Sequence, residues 1–405
     1  MTGLPAVVDR ALAELVTRLP CETPGAVEEF LGAQFDLGLS WVHFPPGHGG
    51  LGVPRDVQRE VDQRLRAAGA PESPANFVGR HQVASTLASL GTPAQRDRFL
   101  RRIFTGEDRW CQLFSEPGAG SDLANVAALA VRDGRRWVVN GQKVWTSGGR
   151  TATFALLLAR TDPAAHKHRG MTMFMLDMRD AGVRVRPLRQ ADGGARFSEV
   201  FLDDASVDDD LRLGEVGDGW KVALAVLGTE REGASDVFHR PVSELVQLWR
   251  EHGARRAPAL RDQVVRLWMQ ERVIELCTQR RRVAPGSPDA TRLAAIAKVL
   301  TSEHAQQLGE VGRQVLGPGA VVDADYAGVL EHDLTSDVAP PPDQFARMPL
   351  RRFLLRSRAM SIEGGTNEIS RNQIGERVLG LPPDIRVDKN RPWRSEEPRP
   401  AGAAP

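Results

Sequence analysis

Two stretches of the sequence hold residue types suited to gripping a cofactor: Ser115-Glu116-Pro117-Gly118-Ala119-Gly120-Ser121-Asp122 and Trp145-Thr146-Ser147. Gly118 and Gly120 let the backbone come close to a ligand and turn successive N–H groups toward it, as an anion or a carbonyl requires. Ser115 and Ser121 add hydroxyls able to bond a ring edge or a phosphate. Trp145 adds one flat aromatic wall. The set suits a planar, polyfunctional, phosphate-bearing cofactor such as a flavin. Each half alone has a plainer reading, since Pro-Gly and Gly-Ser pairs mark ordinary surface turns and a lone tryptophan is more often a packed core residue. Together they favour a ligand site.

The elements that must position these residues follow from pattern. Trp137 to Val144 reads as a strand, a tight Asn140-Gly141 turn and a second strand, which would hold the two stretches close together. The runs 126–131, 153–159, 171–176, 183–187 and 197–202 read as further strands between segments rich in Gly and Asp. Residues 109–212 therefore form a compact β domain. Before it, residues 1–108 are mostly helical in pattern, with Val7, Val8, Leu12, Leu15 and Val16 at helical spacing and Val83, Leu87 and Leu90 repeating it. A Gly/Pro loop at 44–52 and a break at Pro71–Pro74 interrupt those helices. After it, a helix starts near Gly217-Asp218-Gly219, and long helical stretches near 242–252, 259–283 and 290–316 give a bundle over 213–381. The tail from 382 to 405, rich in proline and arginine, is expected to be mobile.

With 405 residues, 41% hydrophobic and 26% charged, the chain has the make-up of an ordinary multidomain globular protein. A net charge of +1 supplies no field that would favour nucleic acid or an anionic membrane. Cys21, Cys111 and Cys277 lie far apart, with neither metal-site spacing nor a disulfide framework, so reduced thiols and no metal site are expected. No apolar run approaches the ~20 residues needed to span a bilayer, and the N-terminus lacks a targeting pattern. A cytoplasmic protein with no membrane span is the expectation.

Three motifs in register carry a resemblance to a known family. The run Gln112-Leu113-Phe114-Ser115-Glu116-Pro117-Gly118-Ala119-Gly120-Ser121-Asp122-Leu123, the run Asn140-Gly141-Gln142-Lys143-Val144-Trp145-Thr146-Ser147 and the run Ile362-Glu363-Gly364-Gly365-Thr366-Asn367-Glu368-Ile369 resemble those of the acyl-CoA dehydrogenase flavoproteins. Arg377-Val378-Leu379-Gly380-Leu381 extends the likeness, which covers about residues 30–382. The resemblance implies an α+β multidomain fold with an N-terminal helical domain, a central β-barrel-like domain and a C-terminal four-helix bundle. It implies FAD, held by Gln112, Phe114, Ser115, Gly120 and Ser121, with Ser121 also touching the pantetheine arm of a CoA thioester. Trp145 would stack on the flavin, and Thr146 and Ser147 would bond its N5 and C4-carbonyl region. Gln314 and Gly317 resemble a segment that reaches FAD from a neighbouring subunit, and Thr366 and Glu368 resemble contacts to its ADP half. A site shared in this way implies a homo- or hetero-oligomer, with an electron-transferring flavoprotein as acceptor.

The reaction implied is α,β-dehydrogenation of an acyl-CoA to the 2-enoyl-CoA, in which a base takes the α-proton while the β-hydride goes to flavin N5. Many family members place the base directly before the Gly-Thr of the C-terminal motif, but here that position is Gly364. Glu363 is one residue too early. Isovaleryl- and long-chain acyl-CoA dehydrogenases instead carry a Glu before an Arg on the helix after the β domain, and Thr229-Glu230-Arg231 resembles that pattern. Glu230 is therefore the expected base, with Arg231 and Gly364 on the substrate side, the latter through its N–H to the thioester carbonyl. The apolar residues Val222, Leu224, Val226 and Leu227 before it suggest a dry cavity, which would strengthen a carboxylate base. The plainer reading of Glu230-Arg231 is a solvated helix face. The stretch 237–259 lacks the Glu-Arg-x-x-Phe-Gly motif whose arginine meets FAD phosphates in many members, a feature shared with an actinobacterial-type branch.

Other readings keep part of this picture. The same fold could use oxygen as acceptor, as an acyl-CoA oxidase or flavin monooxygenase, although a base aimed at the α-carbon disfavours the monooxygenase. A different class is a non-catalytic partner subunit of a hetero-oligomer, or a flavin-bearing nucleic-acid binder, the latter disfavoured by the near-neutral charge.

Overall fold

The structure is a computed structural model that describes residues 4–18, 25–237, 240–253, 259–283, 287–322, 348–383, 385 and 392–393. Within these ranges the side chains of 229–237, 252–253, 282–283, 288–289, 291 and 321 are also outside the description. The chain forms two compact units, one of Met1–Arg186, Phe197–Val226 and Arg391–Pro405, the other of Pro187–Arg196 and Leu227–Asn390. Among the described residues no helix is long and apolar enough to cross a membrane.

In the first unit, helices α1 (Ala6–Val16), α2 (Ala26–Asp36), α3 (Val57–Ala67), α4 (Ala84–Leu90) and α5 (Pro93–Thr105) precede the sheet. The expected spacing is realised in α1 at Val8, Leu12 and Leu15, which are buried on one face, whereas Val7 is exposed. Helix α5 starts at a reciprocal capping box between Thr92 and Gln95. The Gln95 amide goes further, donating to the carbonyls of Asp210 (2.7 Å) and Arg212 (2.9 Å), so the cap also ties the helix to the β domain. Asn76 makes a second tie, donating to Trp110 O at 2.5 Å and accepting from Gly79 N at 3.1 Å.

The β domain is an eight-stranded sheet of β1 (Trp110–Leu113), β2 (Leu129–Asp133), β3 (Arg136–Ser147), β4 (Phe154–Arg160), β5 (Met171–Asp177), β6 (Val183–Leu188), β7 (Phe197–Asp208) and β8 (Arg212–Leu213). Its order is β6-β7-β3-β2-β4-β5-β8, with β1 pairing parallel to β4. All seven residues of β4 are buried, as an apolar strand covered on both faces must be. The expected Asn140-Gly141 hairpin turn is not there. β3 runs unbroken through it, and a bulge sets Asn140 against both Asp203 and Asp204 of β7. Asn140 closes the bulge through its side chain, which accepts from Asp204 N (2.9 Å) and donates to Asp204 Oδ1 (2.8 Å). Gly141 serves close packing, since a Cβ there would lie 2.6 Å from that of Ala128.

Trp393, in the tail expected to be mobile, docks on this domain. Its Nε1 donates to Asn125 Oδ1 at 3.0 Å, its backbone N donates to Ala165 O at 3.0 Å, and its ring lies 4.6 Å from the guanidinium carbon of Arg160. Arg160 is fully buried and spends its donors on the carbonyls of Ala124, Val126 and Lys167. Burial lowers its pKa to about 10. An apolar tail residue is thus recruited by a buried cation.

Helix α6 (Gly219–Val237) begins in the first unit and continues in the second. The second unit then holds α7 (Val242–Leu248), α8 (Leu260–Val283), α9 (Pro288–Leu316), α10 (Leu350–Arg356) and α11 (Asn367–Gln373). The long stretches expected near 242–252, 259–283 and 290–316 are all helical. Leu260, Val264 and Leu267 of α8 meet Leu308, Val311 and Val315 of α9, with Phe353 of α10, in one core. Burying each such side chain is worth about 1.5–3 kcal/mol. Glu271, on the inner face of α8, accepts from Val242 N at 3.1 Å and so receives the start of α7.

Candidate active site

The two candidate cofactor-binding stretches meet in the first unit. Val144 N donates to Ser115 O at 2.9 Å, which brings the glycine loop beside the end of β3. The loop closes as a tight turn, Glu116 and Ala119 exchanging backbone hydrogen bonds at 3.1 and 3.0 Å. A Cβ on Gly118 or Gly120 would meet nothing within 4 Å among the described residues, so the tip offers open backbone to a ligand. Gln112 in β1 and the buried Phe114 precede the loop, while Ser121 and Ser147 are exposed.

A second bulge explains how Trp145 and Thr146 are displayed. Lys143 pairs with Val200 and Thr146 with Ser198, so Val144 and Trp145 together face Glu199 alone. Trp145 takes a left-handed backbone, φ 61°, which is rare for a bulky residue. The extra residue reverses the alternation. Trp145 is 61% exposed, its ring edge-on to Phe197, while Thr146 is turned inward. A non-glycine residue held in this conformation costs about 1–3 kcal/mol and persists where the surroundings over-determine it. In the FAD-free protein, Trp145→Gly is accordingly expected to be more stable than Trp145→Ala by about 1 kcal/mol, the reverse of the usual strand order. Paired urea melts of the two variants check this, and Ala above Gly would show that the backbone is not strained.

Glu116 and Lys143, not singled out from the sequence as site residues, hold the arrangement together. Lys143 is fully buried. Its Nζ donates to Glu116 Oε1 (2.7 Å), Phe114 O (3.1 Å) and Leu158 O (2.7 Å). The Glu116 carboxylate also accepts from the backbone N–H groups of Ala127 (2.7 Å) and Ala128 (3.0 Å). Burial lowers the Lys143 pKa and Glu116 opposes that shift. Glu116, Gly118, Asn125, Gln142 and Trp393 line a cleft of about 380 Å³ beside the loop.

The remaining expected residues belong to the second unit. Gly364 and Gly365 are both left-handed, φ 64° and 92°. Thr366 caps α11, accepting from Ile369 N at 3.1 Å, which leaves its hydroxyl hydrogen available to a ligand. Glu368 is exposed, 3.6 Å from Arg371. Between them the buried Asn367 accepts from Lys298 Nζ and Ser302 Oγ, each at 2.8 Å, and so anchors the motif to α9. Gln314 lies exposed in the last turn of α9, donating to Glu310 at 3.3 Å, and Gly317 ends that helix with φ 61°. Glu363 is held by Arg356 at 2.7 Å. The backbone of α6 carries Glu230 and Arg231, whose side chains lie outside the described residues.

Three family models match in chain order: the acyl-CoA dehydrogenase N-terminal domain at residues 6–107, the middle domain at 111–205 and the C-terminal domain at 217–379. The acyl-CoA dehydrogenase IpdE1 of Mycobacterium tuberculosis is 37% identical over 350 residues, covering 85% of each chain. The chain belongs to the acyl-CoA dehydrogenase family. FadE34 of the same organism is 35% identical over 385 residues, which are 94% of this chain and 49% of that protein. Among solved structures, the ChsE4-ChsE5 complex from M. tuberculosis is similar, with TM-score 0.67 and 26% identity over 95% of this chain and 100% of that one.

Acyl-CoA dehydrogenases are FAD-dependent oxidoreductases, and FAD is the cofactor here. The residues present fit it. Gln112 Nε2 and Thr146 Oγ1 are buried polar atoms with no hydrogen-bond partner among the described residues, a costly condition that a cofactor's heteroatoms would relieve. The open glycine tip and the exposed Trp145 ring flank the same strand end.

Proposed function

We propose that this acyl-CoA dehydrogenase takes the α-proton of an acyl-CoA thioester with Glu230, giving the 2-enoyl-CoA. Bound FAD supplies the acceptor for the β-hydride. Gln112, Phe114, Ser115, Gly120, Ser121, Trp145, Thr146 and Ser147 hold the flavin end, and Gln314, Gly317, Thr366 and Glu368 serve its other half. Ser121 and Arg231 bind the CoA portion, and the Gly364 N–H polarises the thioester carbonyl.

The observation that carries the choice of base is at the C-terminal motif. Gly364 has no side chain, which leaves that motif without a carboxylate at the usual position, and Glu363, one residue earlier, is held by Arg356 through Oε2. Glu230 lies one helical turn beyond the buried Val226, itself one turn beyond the buried Val222. Leu224, expected to line the same dry region, is instead exposed. A bulky, ring-bearing acyl group is the favoured substrate class. A supporting relative is the cyclohexane-1-carbonyl-CoA dehydrogenase of Geobacter metallireducens, 25% identical over 82% of this chain and 90% of that protein. The test is anaerobic titration of the flavin absorbance with straight-chain and ring-bearing acyl-CoAs. Bleaching by ring-bearing acyl-CoAs with slow air reoxidation is expected; rapid reoxidation would point to the oxidase, and no bleaching by any acyl-CoA would overturn the reading.

An oligomeric state is supported by α8. Val265, Trp268, Met269, Val273 and Leu276 form an exposed apolar stripe at helical spacing, opposite the face that builds the core. A second subunit of this fold would cover it, and electrons would pass to an electron-transferring flavoprotein. Trp268→Glu combined with Met269→Lys is expected to halve the mass seen by light scattering, whereas an unchanged mass would remove the stripe from the interface.

A further inference from the structure

In the Glu116–Lys143 pair Lys143 is fully buried, and the pair ties the start of the glycine loop and strand β3 to the interior of the β domain. Lys143 Nζ grips the loop twice, at Phe114 O and at Glu116 Oε1, and fixes both to the interior strand β4 at Leu158 O. The Glu116 carboxylate carries the tie onward to the backbone of Ala127 and Ala128. Lys143 is also the last residue of β3 in register before the bulge that turns Trp145 outward. A surface loop ending in Pro-Gly-Ala-Gly would otherwise sample many conformations, because glycine loses the most freedom on ordering.

We propose that Lys143, acting through Glu116, is a positioning residue for FAD. The pair fixes the Phe114–Glu116 strand end, and with it the buried Gln112 and Thr146 groups, before the cofactor arrives. FAD then binds without having to order the loop, so the pair sets affinity through preorganisation and without contact. A buried ion pair is a poor device for stability alone, since well-packed apolar residues of similar volume often do as well. Its three-way grip, on the Glu116 carboxylate and on the backbone carbonyls of Phe114 and Leu158, is better suited to holding one geometry. The inference rests on FAD as cofactor and is independent of the choice of base.

The test separates positioning from folding. Glu116→Gln/Lys143→Met removes both charges while keeping an acceptor for Ala127 or Ala128. The double variant is expected to melt within a few degrees of the parent without FAD, and its FAD Kd, read by flavin fluorescence quenching, is expected to rise at least about tenfold. A folded double variant with parental Kd would overturn the proposal. Amide exchange in the deflavinated parent gives a second readout that needs no variant. The N–H groups of Ala119, Ala128 and Val144 are expected to exchange as slowly as those of β4. Rapid exchange there, slowed only by adding FAD, would also overturn it. If the double variant fails to fold, the exchange result decides alone. Failure of acyl-CoA to bleach the flavin would count against the dehydrogenation reading and leave this one standing.

Discussion

Glu230→Gln should keep FAD bound and oxidised while slowing its reduction by acyl-CoA by about 10²–10⁴-fold, the share usually supplied by a positioned general base. The amide cannot accept the α-proton, and Gly364 offers no substitute at the other family position. Substrate affinity should change little, because the proposed contacts to the acyl-CoA through Ser121, Arg231 and the Gly364 N–H are left in place. The control is Glu363→Gln. It removes the partner of a buried arginine, so it should lower thermal stability while leaving the reduction rate within about threefold of the parent. Stopped-flow flavin absorbance under anaerobic conditions gives both rates. Fast reduction of Glu230→Gln, or loss of reduction in Glu363→Gln with the fold intact, would reverse the assignment.

The single variant Lys143→Met should be the most destabilising change in the β domain. It leaves the Glu116 carboxylate buried without its cation, and breaking a buried pair from one side costs about 3–5 kcal/mol. Two carbonyls, Phe114 O and Leu158 O, lose a charge-assisted donor as well. That loss approaches the whole stability of a typical domain, so the variant should express poorly or melt far below the parent. Adding Glu116→Gln should recover much of the difference, and a double-mutant cycle from denaturant melts measures the coupling. A single variant as stable as the parent would mean that the buried pair is not what holds this region together.

Much of this was legible in the chain. The glycine loop, the strands at 154–160 and 171–177 and the long helices α8 and α9 follow from turn residues and apolar periodicity, which act locally. What was missed depends on pairing between distant segments. Asn140-Gly141 has the signature of a hairpin turn, but Ala128 crowds Gly141 and Asp204 satisfies Asn140, so the strand continues. Simple alternation along β3 would put Trp145 on the inner face with Lys143; the bulge against β7 moves Thr146 there instead. Lys143 itself left a readable trace. It shares a strand face with Trp137 and Val139, and a lysine on a buried face requires a carboxylate partner. Trp393 could not have been found from a Pro/Arg-rich tail, because its docking depends on the buried Arg160 far back in the sequence.

The most direct measurement is a single anaerobic turnover with an acyl-CoA, quantifying flavin reduction and the CoA product in the same sample. The expected result is one 2-enoyl-CoA formed for each FAD reduced by the parent, and neither event on the same timescale in Glu230→Gln. Flavin reduction without enoyl-CoA, or equal turnover in both proteins, would contradict a dehydrogenation driven by Glu230.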